Sequence, residues 1–114
     1  MDDLKTMDTV HAKKGEEAML TEEEIKEYKS QIPDWEIAEE NGVKRLRRAY
    51  KFRNFREALA FTNKIGELAE EQDHHPEIIT EWGKVTLSWW THVVDGLHLN
   101  DFIMAAKSDQ AYKS

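Results

Sequence analysis

Asn41-Gly42-Val43-Lys44-Arg45-Leu46-Arg47-Arg48-Ala49-Tyr50-Lys51-Phe52 is the stretch on which the fold turns. Asn-Gly accepts the positive φ angles of a tight hairpin turn, and the residues after it alternate as a half-buried strand does. Arg45, Arg47, Lys51 and Arg53 fall on one face, with Leu46, Tyr50 and Phe52 on the other. Trp35-Glu36-Ile37 supplies the strand before the turn, so the unit reads as a β-hairpin. A second hairpin follows downstream. Ile78-Ile79-Thr80-Glu81-Trp82 leads to a turn at Gly83. Lys84 to His92 then returns with Val85, Leu87 and Trp89 on one face and Thr86, Ser88, Trp90 and His92 on the other.

Helical patterns surround these hairpins. Thr21 and Glu24 form a capping-box pair, after which Ile25, Tyr28 and Ile32 repeat at helical spacing until Pro33. Asn54 is a suitable N-cap for a helix reaching Gln72, whose apolar residues, Phe55 to Leu68 among them, cover roughly half the circumference. Gly96 permits a bend, and Leu97 to Lys107 has the apolar content of a short closing helix. The order is therefore α-β-β-α-β-β-α. Two hairpins separated by a helix are most economically an antiparallel sheet with helices gathered on one face, an α+β fold. One domain is expected from residue 20 to residue 114. Residues 1–19 are polar, lack an apolar period and are expected to be loosely ordered.

At 114 residues the chain supports one hydrophobic core, so any deep pocket must be shallow or shared with another subunit. Asp and Glu number 23 against 16 Lys and Arg, a net charge of −7, which disfavours nucleic acid or an anionic membrane as the main partner. The basic run from Lys44 to Arg56 reads accordingly as a solvated sheet face. There is no cysteine, so disulfides, thiolate metal sites and cysteine nucleophiles are excluded. Met1 to Met19 resembles neither a signal peptide nor a membrane span, and a cytoplasmic protein is expected. Trp35, Trp89 and Trp90 are expected in a core or an interface, while Trp82 is the tryptophan reserved for substrate contact.

Chemistry concentrates around Asp73-His74-His75-Pro76, with Glu70 before it and His92 after it. Polar residues and proline also serve to stop a helix, so two solvated histidines are the plain alternative at that corner. His92 weighs against it, because antiparallel pairing returns the strand that His92 ends towards the His-His corner. Imidazole exchanges protons near neutral pH, and three at one end of a sheet can run acid–base chemistry without a cofactor. A three-histidine zinc site is the rival, yet adjacent histidines at a loop corner seldom point at one ion.

Glu70, His74-His75-Pro76, Trp82, His92 and Asp101 together resemble the signature of the pterin-4a-carbinolamine dehydratases. The wider likeness runs from about Leu20 to Asp109 and includes Trp35, Thr91-His92 and Gly96-Leu97. The resemblance implies a four-stranded antiparallel sheet with three helices on one face, assembled as homodimers or homotetramers, with no metal and no tightly bound cofactor. It implies dehydration of a 4a-hydroxytetrahydropterin to the quinonoid dihydropterin in tetrahydrobiopterin recycling. His74 and His92 would be the acid–base pair, with His75 and Trp82 holding the pterin. Glu70 and Asp73 would orient or charge the imidazoles, and Asp101 would hold the site, although Asn100 and Asp101 equally suit the first turn of a helix. His11 and His98 receive no role. The alternative within this fold is a non-catalytic interaction protein, a dimerisation partner of a transcription factor or an assembly chaperone.

Overall fold

The computed structural model describes residues 3–9, 20–92 and 96–113. Helix α1 spans Glu22–Lys29, and both halves of the expected capping box form: Glu24 N–H donates to Thr21 Oγ1 at 3.2 Å, and Thr21 N–H donates to Glu24 Oε1 at 2.9 Å. The helix stops short of Pro33. Tighter turns from Gln31 to Tyr28 and from Ile32 to Lys29 carry Ile32 into the core.

Strands β1 (Glu36–Glu40) and β2 (Val43–Lys51) pair antiparallel across a turn in which Asn41 and Gly42 both take positive φ, 52° and 78°. Helix α2 spans Phe55–Gln72, capped by Asn54 Oδ1, which accepts from Glu57 N–H at 2.9 Å. Strands β3 (Glu77–Glu81) and β4 (Lys84–Trp89) make the second hairpin, and β4 also pairs with β2, giving the order β1-β2-β4-β3. Four antiparallel strands with three helices make the expected α+β architecture. The strand expected to reach His92 ends at Trp89. On the β3 side the ladder meets Pro76, which has no N–H to donate, next to the last pair, Glu77 with Ser88.

The inward faces of β2 and β4 supply Leu46, Tyr50, Val85, Leu87 and Trp89, all at most 1 % exposed. Each fully buried side chain of this size contributes about 1.5–3 kcal/mol relative to exposure. Helix α2 adds Ala58, Phe61, Ile65 and Ala69. The wide apolar arc of α2 is thus largely consumed within the chain. Phe61 is a core residue, 4 % exposed, its ring 4.7 Å from that of Tyr50 and 5.2 Å from that of Phe52. What stays exposed on α2 is the i, i+4 pair Phe55 and Leu59.

Helix α3 runs from Leu99 to Lys113, longer than the expected Leu97–Lys107. It buries Phe102, Ile103, Met104, Ala105 and Ala106 in succession, which requires cover all round. That cover includes a 3₁₀ turn at Leu4–Thr6, which packs on α3 and buries Leu4 completely. Within residues 1–19, therefore, residues 3–9 are part of the packed structure, and residues 10–19 lie outside the described residues. Thr9 ties the segment to the end of α2, its N–H donating to Gln72 Oε1 at 2.9 Å and its hydroxyl to the Gln72 carbonyl at 2.6 Å. Among the described residues no helix is long and apolar enough to cross a membrane.

The basic face of β2 also differs from expectation. Arg45 is 8 % exposed rather than solvated, because its guanidinium pairs with Glu40 at 3.0 Å and lies over the Trp90 ring. Arg48 points to the opposite side. It joins Trp35 and Tyr50 in donating to Asp109 Oδ1, at 2.7, 3.0 and 2.5 Å, and so ties α3 to the sheet.

Candidate active site at the histidine corner

His74-His75-Pro76 runs from the end of α2 into β3, and His92 lies just past the end of β4, so antiparallel pairing brings them to one end of the sheet. The turn out of α2 is made at Asp73, which takes the left-handed conformation at φ 53° and donates its N–H to the carbonyls of Ala69 and Glu70. His74 N–H then reaches the Ala69 carbonyl at 3.1 Å, closing the helix end. This geometry turns His74 inward and His75 outward.

His74 is held on two sides. Its ring stacks on Trp89, with centroids 5.7 Å apart and planes inclined by 12°. Its Nε2 lies 2.7 Å from Asp101 Oδ1. An ionised carboxylate only accepts hydrogen bonds, so Nε2 carries the proton and Nδ1 is the nitrogen left for other chemistry.

Asp101 is 0 % exposed and fully engaged. Its Oδ2 accepts from the Thr91 hydroxyl at 2.8 Å and from His98 N–H at 2.9 Å. Asp101 lies in the first turn of α3, so its bond to His98 N–H is the reach-back half of a capping box. His98 completes the cap, its Nδ1 accepting from Asn100 N–H at 3.1 Å. One carboxylate therefore both caps the start of α3 and binds the His74 ring. Its negative charge also suits the positive end of the α3 dipole.

His75 and Glu70 form a second, solvent-facing pair through His75 Nε2 and Glu70 Oε2. His92 is exposed, and its ring meets that of Trp90 with centroids 5.2 Å apart at 67°. Continuing the β3–β4 register two and three residues past Glu77 and Ser88 sets His75 level with Trp90 and His74 level with Thr91. The shared bonds of His74 and Thr91 to Asp101 agree with that alignment. Thr91 and His98 are the members of this network that sequence reasoning did not place, since a strand-end threonine and a lone histidine carry no spacing signal.

Two expected residues stand apart. Asp73 is exposed, and its side chain makes no hydrogen bond among the described residues, so its contribution is the backbone turn rather than orientation of an imidazole. Trp82 is 70 % exposed in the β3–β4 turn, at the end of the hairpin away from His75. Five residues of β3 at ~3.3 Å each separate Trp82 from the corner of its own chain. Among the described residues no three His, Cys, Asp or Glu side chains gather as a metal ion would require.

Comparison with known proteins places this geometry in context. The model of the pterin 4 alpha carbinolamine dehydratase family matches residues 18–111. A Nitrosococcus oceani protein provisionally named pterin-4-alpha-carbinolamine dehydratase is 58 % identical over 113 residues, 99 % of each chain. The crystal structure of a transcriptional coactivator/pterin dehydratase from Brucella melitensis superimposes with a TM-score of 0.74 at 30 % identity, covering 82 % of this chain and 97 % of that one. A pterin dehydratase-like RuBisCO assembly factor of the alpha-carboxysome shares the fold, with a TM-score of 0.60 at 20 % identity over 71 % of this chain and 92 % of that one.

Proposed function

The chain belongs to the pterin 4 alpha carbinolamine dehydratase family, and we propose that it removes water from a 4a-hydroxytetrahydropterin by histidine acid–base catalysis. A base takes the proton from N5, the N5 electrons form the C4a=N5 double bond, and the C4a–O bond breaks. An acid protonates the departing oxygen, which leaves as water and yields the quinonoid dihydropterin. The step is redox-neutral, so proton transfer by side chains suffices and no cofactor or metal is required.

The observation that carries the reading is the Asp101–His74 bond. Asp101 fixes one nitrogen of the ring and Trp89 fixes its plane, which leaves Nδ1 to exchange a proton with substrate. His92 is the second member of the acid–base pair, and His75, steadied by Glu70, holds the pterin ring and its substituents. Imidazole is the side chain whose ordinary proton exchange lies near neutral pH, and a positioned acid or base contributes about 10²–10⁴-fold to rate. A purely interacting role is less well supported. It gives no reason for a buried carboxylate to hold a histidine whose other ring nitrogen is left free.

Stopped-flow measurement of dehydration by His74→Ala and His92→Ala tests the roles. Each substitution is expected to slow the reaction by about 10²–10⁴-fold with the fold intact. Near wild-type turnover in both would overturn the acid–base assignment.

A further inference from the structure

Trp90 contacts two partners, and strand alternation from the buried Trp89 sets it on the opposite face of the sheet. The Arg45 guanidinium carbon lies 3.9 Å from its ring centroid. The His92 imidazole meets the same ring edge to face, with centroids 5.2 Å apart. Arg45 does not extend into water as a long cation on an open sheet face does. It is 8 % exposed, and its Nε has no hydrogen-bond partner among the described residues.

Glu40 is what holds it. One carboxylate oxygen pairs with Arg45 Nη1 at 3.0 Å and the other with Arg47 Nη2 at 3.1 Å. Arg47 Nε in turn donates to Ser88 Oγ at 3.0 Å, two residues before Trp90. The guanidinium is thus pinned to β1, and the electrostatic attraction between a cation and an indole face is spent on fixing Trp90. His92 lies past the last β2–β4 ladder pair, Leu46 with Trp89, and the Thr91–Gly96 bridge beside it holds backbone rather than the imidazole, whose described ring contact is with Trp90.

We propose that Arg45 and Trp90 are positioning residues for His92: the guanidinium anchored by Glu40 fixes the indole, and the indole fixes the imidazole at the histidine corner. The catalytic part rests on His92 being one of the acid–base pair, whereas the packing part does not. A ring misplaced by about 1 Å costs up to ~10²-fold in rate.

The test combines kinetics with NMR of the His92 ring in the full-length protein. Trp90→Ala is expected to lower kcat about tenfold or more while KM changes less than about twofold, and to move the His92 ring proton shifts by removing the indole ring current. Trp90→Phe keeps an aromatic face and should restore most of kcat. Arg45→Met, which leaves Trp90 in place, should give an intermediate loss and a smaller shift change, and it serves if Trp90→Ala does not fold. Unchanged kcat in both variants overturns the proposal even if the His92 signals move, because the contact would then be packing alone. Should the wild-type protein show no dehydration, the acid–base reading fails separately, and the NMR arm decides. His92 shifts that ignore both substitutions then refute the contact.

Discussion

Asp101 Oδ1 lies 2.7 Å from His74 Nε2, joining the first turn of α3 to the corner that leads into β3, and the same carboxylate binds Thr91 beside His92. One buried acid therefore anchors both arms of the histidine cluster. Asp101→Asn retains only one acceptor oxygen for the three donors now served by two. The amide must either face one of those donors with its own NH₂ or leave a donor unpaired. A stability loss of about 1–3 kcal/mol in urea unfolding is expected. A fall in kcat of about tenfold or more is expected as well, because an amide facing Nε2 favours the wrong imidazole tautomer. Wild-type stability and turnover would remove Asp101 from the account.

Tyr50 makes stability depend on alkaline pH. Burial first, and then the neighbouring Asp109 carboxylate, push its phenol far above the ordinary tyrosine range near ~10. Below pH ~10 the phenol is protonated in both folded and unfolded chains, and its contribution is fully present. Above that pH the unfolded chain releases the proton while the folded chain keeps it, so stability falls as pH rises. Urea midpoints should decline above pH ~10, and the decline should be shallower in Tyr50→Phe. Equal slopes for the two proteins would contradict the buried, un-ionised phenol.

Leu4 is 0 % exposed against α3, and its N–H donates to Gln31 Oε1 at 2.9 Å. Leu4→Ala is expected to cost about 2–5 kcal/mol, the range for a buried leucine. The segment continues to Thr9, which grips Gln72 two residues before His74, so Thr9→Val should weaken amide-exchange protection at the end of α2. A Leu4→Ala protein as stable as wild type would mean that this segment does not cover the core in solution.

Phe55 and Leu59, 46 % and 43 % exposed one turn apart, are the apolar remainder of α2. We expect them to meet a second copy of the chain. Sedimentation equilibrium at micromolar concentration should give the mass of two or four chains, and Phe55→Glu with Leu59→Glu should shift it towards 13.4 kDa without unfolding. A wild-type protein that sediments as a 13.4 kDa monomer contradicts this.

The hairpins were legible because Asn41-Gly42 and period-two alternation are local signals. α2 was legible because Asn54 and a one-sided apolar arc mark its start and its face. Helix α3 was harder to bound, since Phe102 to Ala106 are buried all round and leave no polar face to count. Leu4 was missed because the few apolar residues around it, Met7 and Val10 among them, form too short a pattern between charged and polar ones, and only tertiary contact with α3 shows its burial. The histidines and Asp101 were found as a group, but sequence spacing could not say that His74 turns inward and His75 outward. That division comes from the left-handed Asp73. Nor could it show that Trp82 falls at the opposite end of its hairpin, or that Arg45 folds back onto Trp90.

The most direct measurement is stopped-flow dehydration of a 4a-hydroxytetrahydropterin by the purified full-length protein after dialysis against a strong chelator. The account predicts dehydration well above the spontaneous rate, undiminished by the chelator and lost on His74→Ala. A rate equal to the spontaneous background, or one restored only by added zinc, would contradict it.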